Sequence, residues 1–165
     1  MSILFKHVDI LSTNDGQFEY LKCAYLGVDG KVIDYIGTEA PAKEYSQVKE
    51  MSGKMLIPGL INCHGHSAMT LLRGVGSDLS LQQWLEVMWP IEDRMRNEDF
   101  KSGMNMAILE MLAGGTTSFC DMYMKPDYTQ ACIEESGIKA NLTRVMMGGD
   151  SDTDYLSYPN RLEAL

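Results

Sequence analysis

Met55-Leu56-Ile57-Pro58-Gly59-Leu60-Ile61-Asn62 leads straight into Cys63-His64-Gly65-His66. The first part is apolar without polar alternation, which suits a strand buried on both faces, with Pro58 near its start or at an edge. Strands of that kind belong to parallel sheets, and ligands gather at their carboxyl ends. Side chains two apart on a strand point the same way. The imidazoles of His64 and His66 are therefore expected to face one direction, close enough to share one ion, with Gly65 leaving the backbone between them accessible. Neutral imidazoles suit Zn²⁺ or another borderline transition metal. Two exposed loop histidines would show the same spacing; the apolar strand in front of this pair is what makes it a candidate metal site. The remaining histidine, His7, lies in a β-like segment and reads as structural or surface.

Before Lys54 the chain reads as β. Ile3, Phe5, Val8 and Ile10 are strand-like, Asn14-Asp15-Gly16 is a turn signal, Phe18 to Val28 is apolar and aromatic, and Asp29-Gly30 marks a tight hairpin before Val32 to Ile36. Ala40 to Val48 is a polar connector with room for one helical turn. This predicts a small antiparallel lobe over residues 1–55. After His66 strands and helices alternate. Ser67 to Arg73 can begin a helix that Gly74-Val75-Gly76 breaks, and Leu81 to Met88 is a second helix, stopped by Pro90. Asn97 is the expected N-cap of a longer helix with Phe100, Met104, Ala107, Ile108, Met111 and Leu112 on one face, ended by Gly114-Gly115. Thr116 to Tyr123 is a strand, Asp127 to Ser136 a helix, Ile138 to Met147 a third buried strand. Gly148 to Tyr158 is a polar loop, and Pro159 opens the start of another helix.

Strands alternating with helices imply crossovers and a parallel sheet, hence an α/β fold over residues 56–165. A closed eight-stranded barrel needs about 250 residues, and Leu162-Glu163-Ala164-Leu165 is apolar-patterned with no helix stop. The expectation is the N-terminal portion of a TIM-type (β/α)8 barrel, preceded by a small β-sandwich lobe, in a truncated chain.

Composition narrows the function classes. Of 165 residues, 14 are Lys or Arg and 23 Asp or Glu, a formal net charge of −9. No excess cation is available to neutralise nucleic-acid phosphates or to dock on an anionic membrane. The best apolar stretch for a membrane span, Met104 to Leu112, is broken by Glu110 and is too short to cross a bilayer. Met1 to Thr13 lacks the plan of a signal peptide, so cytoplasmic residence is expected. Cys23, Cys63, Cys120 and Cys132 show no C-x-x-C spacing and read as buried reduced thiols.

Other polar residues fall where ligands would be met. Glu92 follows Trp89-Pro90 in the loop region after the first barrel-type strand. Asp121 and Arg144 sit inside the second and third, where a charge must be paired or face a cavity; for Asp121 a structural ion pair is the plain expectation, and a guanidinium at Arg144 is suited to gripping a polar ligand. Gly74-Val75-Gly76 lacks the third glycine of a dinucleotide loop. Asp150-Ser151-Asp152-Thr153-Asp154 fails as a calcium loop, with Tyr155 and Arg161 at the positions needing Gly and Glu.

Leu56 to His66, then Ser67-Ala68-Met69-Thr70-Leu71-Leu72-Arg73-Gly74, Asp78-Leu79, Trp84-Leu85, Trp89-Pro90-Ile91-Glu92, Gly114-Gly115-Thr116-Thr117 and Asp121-Met122-Tyr123, resemble the amidohydrolase superfamily. Within it the likeness is to the methylthioadenosine/S-adenosylhomocysteine deaminases and their chlorohydrolase-like relatives. The resemblance implies a zinc-dependent enzyme carrying out hydrolytic deamination of an adenosine-type nucleoside. His64 and His66 match the first two metal ligands. Glu92 and Arg144 match substrate-binding residues, and Arg161 matches a further one less closely because the loop before it varies. Cys63 and Gly65 stand where the family often has Thr. The family's further histidines, catalytic glutamate and last-strand aspartate would lie beyond Leu165, so no catalytic residue is assigned within the chain, and the chain alone is expected to be inactive. The implied partner is a small nucleoside, with no nucleic acid and no membrane, and assembly into a homo-oligomer stays open. Other amidohydrolase chemistry (a guanine or cytosine deaminase, a triazine-type hydrolase) and a non-catalytic truncated product are the competing readings.

Overall fold

In the computed structural model, which describes residues 1–144, the chain divides into two units, Met1–Pro58 and the residues from Gly59 on. In the first, β1 (Ser2–Asn14) and β2 (Gln17–Asp29) form a long antiparallel hairpin. It closes at Asp15-Gly16, both in the left-handed region at φ 47° and 76°, as a tight hairpin turn requires. β3 (Val32–Gly37) adds antiparallel to β2. The lobe is not wholly antiparallel, however. β4 (Gln47–Glu50) and β5 (Met55–Leu56) both run parallel to β1, along its other edge. β1 is 13 residues long, more than twice a common strand, so one edge holds both short strands end to end. β4 pairs with Ile3 to Lys6 and β5 with Asp9 and Ile10. His7, between these stations, and Cys23 of β2, beside Asp9, adopt positive φ (54° and 52°), and the β1–β2 register shifts around them, the mark of a bulge. Val8, Ile10, Ala24 and Leu26 form the buried core of this unit.

His7 Nδ1 contacts the Glu50 carboxylate at 3.0 Å and Tyr25 Oη lies 3.2 Å from His7 Nε2. The Ser52 hydroxyl, then His7 and Lys6, hold the Glu50 carboxyl down at about 2, against a usual 4.5. A depressed carboxyl stabilises the fold above its unfolded value. Glu50 therefore contributes fully above pH about 4.5 and loses its contribution as pH falls toward 2. Ser52→Ala is expected to move the Glu50 titration, followed by carboxyl ¹³C NMR, back toward the usual value; an unmoved midpoint would show that the hydroxyl does not hold it.

The apolar run from Met55 to Asn62 is two strands rather than one. β5 belongs to the first unit's sheet, and β6 (Leu60–Gly65) opens the second. Pro58 has no N–H to donate to a ladder. Gly59 then passes so close to β7 that an added Cβ would overlap the Thr117 side chain, and Leu60 N–H donates to the Gly115 carbonyl at 2.9 Å. Nor is β6 buried on both faces among the described residues, since Leu60 is 53% and Ile61 70% exposed.

In the second unit β6, β7 (Thr116–Tyr123) and β8 (Lys139–Arg144) form a wholly parallel sheet in that order. A 3-10 turn, Ser67–Leu72, follows β6; α1 (Leu81–Glu92) and α2 (Asn97–Ala113) lead to β7, and α3 (Pro126–Ser136) to β8. This is the α/β, parallel-sheet class expected. Met104 and Ile108 of α2 and Cys132 and Ile133 of α3 pack with Phe119 of β7 and Ile138. Asn97 is the first residue of α2, not its cap: Arg96 precedes it, its N–H donating to Asp99 Oδ2 at 2.8 Å. Leu112 lies off the buried face, 46% exposed. Pro90 does not stop α1. It stands in the last turn, where only one ladder bond is forfeited, and Asp93 N–H donates to Trp89 O at 2.9 Å immediately beyond it. Glu92 is thereby moved from a loop to the end of a helix.

Candidate metal and substrate site

β6 ends on Gly65, so His64 stands at the end of the strand and His66 just beyond it. Their rings lie 4.9 Å apart, centroid to centroid, at 85°. Two imidazoles on one tetrahedral zinc, with Zn–N bonds of about 2.0–2.1 Å, have centroids roughly 5 Å apart, so the pair suits a shared ion. The protonation of His66 supports the same use. Its Nδ1 lies 2.6 Å from the Met122 carbonyl oxygen. A carbonyl only accepts, so Nδ1 carries the hydrogen, and in the neutral ring Nε2 keeps its lone pair. Metal-ligating histidines are oriented by such bonds. Among the described residues no group of three or more His, Cys, Asp or Glu could hold an ion, so an ion placed here would meet these two imidazoles alone.

β7 supplies the support beneath them. Phe119, Asp121 and Tyr123 alternate onto its buried face. Asp121 is 3% exposed, and its Oδ1 accepts from both the N–H and the hydroxyl of Ser67, each at 2.7 Å. Among the described residues these hydrogen bonds take the place of the expected ion pair. Tyr123 stacks obliquely on Phe100, with its ring centroid 6.3 Å from that of His66. Its hydroxyl donates to Glu92 Oε1 at 2.6 Å in a buried setting. Burial, and then the neighbouring Glu92 carboxylate, push the Tyr123 phenol far above its usual range, so it stays a donor. Tyr123 thus links the helix end that carries Glu92 to the histidine pair.

That bond has a measurable weight. Tyr123→Phe keeps the ring packing and deprives a buried carboxylate of its donor, which costs about 1.5–3 kcal/mol for a bond to a charged group. Denaturant unfolding of the chain and of a Tyr123→Phe, Glu92→Gln cycle measures it; a coupling near zero would mean that Tyr123 does not hold Glu92.

Arg161 lies outside the described residues, as do the side chain of Arg144 and the acidic loop from Asp150. β8 places the Arg144 backbone in register beside Tyr123. Of the four cysteines, all free, only Cys132 is buried, its thiol pushed up chiefly by that burial; Cys23 and Cys63 are exposed and Cys120 is half-buried. The uniform burial expected for them does not hold, because Cys23 sits at a strained bulge and Cys63 on the open face of β6. Among the described residues no helix is long and apolar enough to cross a membrane. Tyr123, Ser67 and the Met122 carbonyl escaped the sequence reading. A buried strand-end tyrosine needs a partner for its hydroxyl, and that was the signal available.

Comparison with known proteins adds a second line of observation. The family model for the amidohydrolase family matches residues 55–154. A protein of Syntrophomonas wolfei named 5-methylthioadenosine/S-adenosylhomocysteine deaminase is 39% identical over 150 residues, covering 90% of this chain and 35% of the relative. The structure of a triazine hydrolase from Arthrobacter aurescens superposes with a TM-score of 0.79 at 22% identity, over 93% of this chain and 37% of that one. An adenosine deaminase from Xanthomonas campestris with bound zinc gives 0.72 at 29% identity, over 84% and 32%. The chain spans about a third of the length of the relatives it matches.

Proposed function

Because the chain belongs to the amidohydrolase family, we propose that it forms the first part of a zinc-dependent barrel enzyme that hydrolytically deaminates an adenosine-type nucleoside such as methylthioadenosine or S-adenosylhomocysteine. On this reading residues 1–55 belong to the β lobe ahead of the barrel, and residues 56–165 supply the barrel's first strands and helices. The observation that carries it is the His64–His66 pair, rings 4.9 Å apart with Nε2 of His66 left free by Met122. The deaminase name of the Syntrophomonas relative and the zinc in the Xanthomonas structure support the substrate class and the metal.

His64 and His66 would hold the zinc. Such an ion acidifies water, making a nucleophile available near neutral pH. Hydrolytic deamination would exchange the purine amino group for oxygen from water and release it as ammonia. Glu92, anchored through one oxygen by Tyr123, keeps its other oxygen to accept from a substrate hydroxyl. Arg144 and Arg161 grip polar groups of the tail by directional charge-assisted bonds. Two imidazoles are too few for a complete zinc site, so the 165-residue chain alone, loaded with zinc, is expected to release no ammonia.

The test is a chimaera in which this chain replaces the matching third of the Syntrophomonas relative. It is expected to release ammonia from methylthioadenosine. A folded, zinc-loaded chimaera that acts on guanine or a chlorotriazine and not on the nucleoside would transfer the assignment to another amidohydrolase; one inactive on all three would remove it.

A further inference from the structure

Two consecutive residues on one strand end, His66 and Ser67, are fastened to two consecutive residues on the next, Met122 and Asp121. The His66 bond is made by the ring. The Ser67 bonds are made by its backbone N–H and its hydroxyl, both to a single carboxylate oxygen, Oδ1 of Asp121. Asp121 and Ser67 are 3% and 6% exposed, whereas His64 is open to solvent. Asp121 is itself held in place, since Thr143 of β8 donates to its carbonyl at 2.9 Å. Ser67 opens the 3-10 turn, and the Met69 N–H donates back to the His66 carbonyl at 2.9 Å. The backbone on the carboxyl side of His66 is thus clamped at the point where a rotation would swing the imidazole off Met122.

We propose that Asp121, acting through Ser67, is a positioning residue for His66: it fixes the ring on the Met122 carbonyl, and so sets the tautomer that presents Nε2 to the metal. The inference rests on the metal reading above only for its use, since the tautomer can be read without any ion. An unclamped imidazole samples both neutral tautomers, and in the one with hydrogen on Nε2 the outward nitrogen cannot bind an ion.

The experiment uses ¹⁵N NMR of the histidine rings of the full chain at alkaline pH, followed by titration of the chimaera with zinc alone. In the wild type the His66 signals should be those of a ring protonated at Nδ1 only. In Asp121→Ala they should move to the averaged position of mixed tautomers, with His7 unmoved as an internal reference. Asp121→Asn, which keeps an acceptor at Oδ1, should restore the wild-type pattern. Ser67→Ala should move them the same way by less, and it carries the comparison if Asp121→Ala does not fold. Zinc affinity should fall about 10–100-fold in Asp121→Ala, the usual cost of losing an outer partner of a metal ligand, and recover in Asp121→Asn. A folded Asp121→Ala or Ser67→Ala whose His66 tautomer matches the wild type overturns the proposal. A folded chimaera that binds no zinc overturns the metal reading instead, and the tautomer comparison still decides the role of Asp121.

Discussion

Alanine at His64 and His66 together abolishes ammonia release by the chimaera, lowering it by more than about 10²-fold, and removes its zinc. The bound follows from comparison: an outer-shell partner of a metal ligand is alone worth about 10–100-fold, and here both ligands of the 4.9 Å pair are deleted. Each single variant should cost nearly as much as the double, because groups that hold one ion act as a unit and their losses do not add. His7→Ala, in the other unit, serves as the matched control: it removes a histidine and should leave zinc content and turnover unchanged. Zinc measured in the dialysed protein separates loss of metal from loss of fold. A double variant that retains both zinc and turnover would place the metal elsewhere.

The second large effect is on stability. Gly103 lies buried in the middle of α2, against the 3-10 turn. A Cβ there would overlap the Ala68 carbonyl oxygen and stand 2.8 Å from its Cα. The obstacle is backbone, so no side-chain rotamer can relieve it. Gly103→Ala gains about 1 kcal/mol of helix propensity, against roughly 1–3 kcal/mol or more for overpacking. With main chain on the far side the upper end applies, and the variant should lose about 2 kcal/mol net. At about 2–4 °C per kcal/mol for a chain of this size, the melting midpoint should fall on the order of 5 °C. Ser102→Ala, at the exposed neighbouring position, should hold or raise it. A Gly103→Ala variant as stable as the wild type would mean that the turn yields, and the position of Ser67 would then have to be plastic as well.

What could be read along the chain was what depends on near neighbours. The two imidazoles meet because they are two residues apart at a strand end, and the alternation of strands and helices marks the parallel sheet before any coordinate is known. The hairpin turns carry their own glycine and aspartate signals. Contacts between distant residues were not legible. Tyr123 reaches Glu92 across 31 positions and Ser67 reaches Asp121 across 54, and neither pairing has a periodicity to announce it. The division of Met55 to Asn62 between two sheets was hidden for a related reason. Hydropathy registers apolar side chains, whereas the break depends on the missing N–H of Pro58 and on the clearance of Gly59 against Thr117. α1 persisting through Pro90 belongs with these: the cost of a proline depends on how many ladder bonds remain beyond it, which only the helix length decides.

The parallel pairing of β6 with β7 also sets the order of events when the chain folds. An antiparallel neighbour could arrive through a two-residue turn, as β2 does on β1. β7 begins only after the 3-10 turn, α1 and α2 have been traversed, and the acceptor for His66 lies 56 positions downstream. Contacts of that separation form slowly, because the loop must close before anything rewards it. The fixed orientation of the His66 ring is therefore a late product of folding. Zinc offered to the refolding chimaera should be taken up no faster than β7 docks, so that uptake kinetics become a clock for the assembly of this sheet.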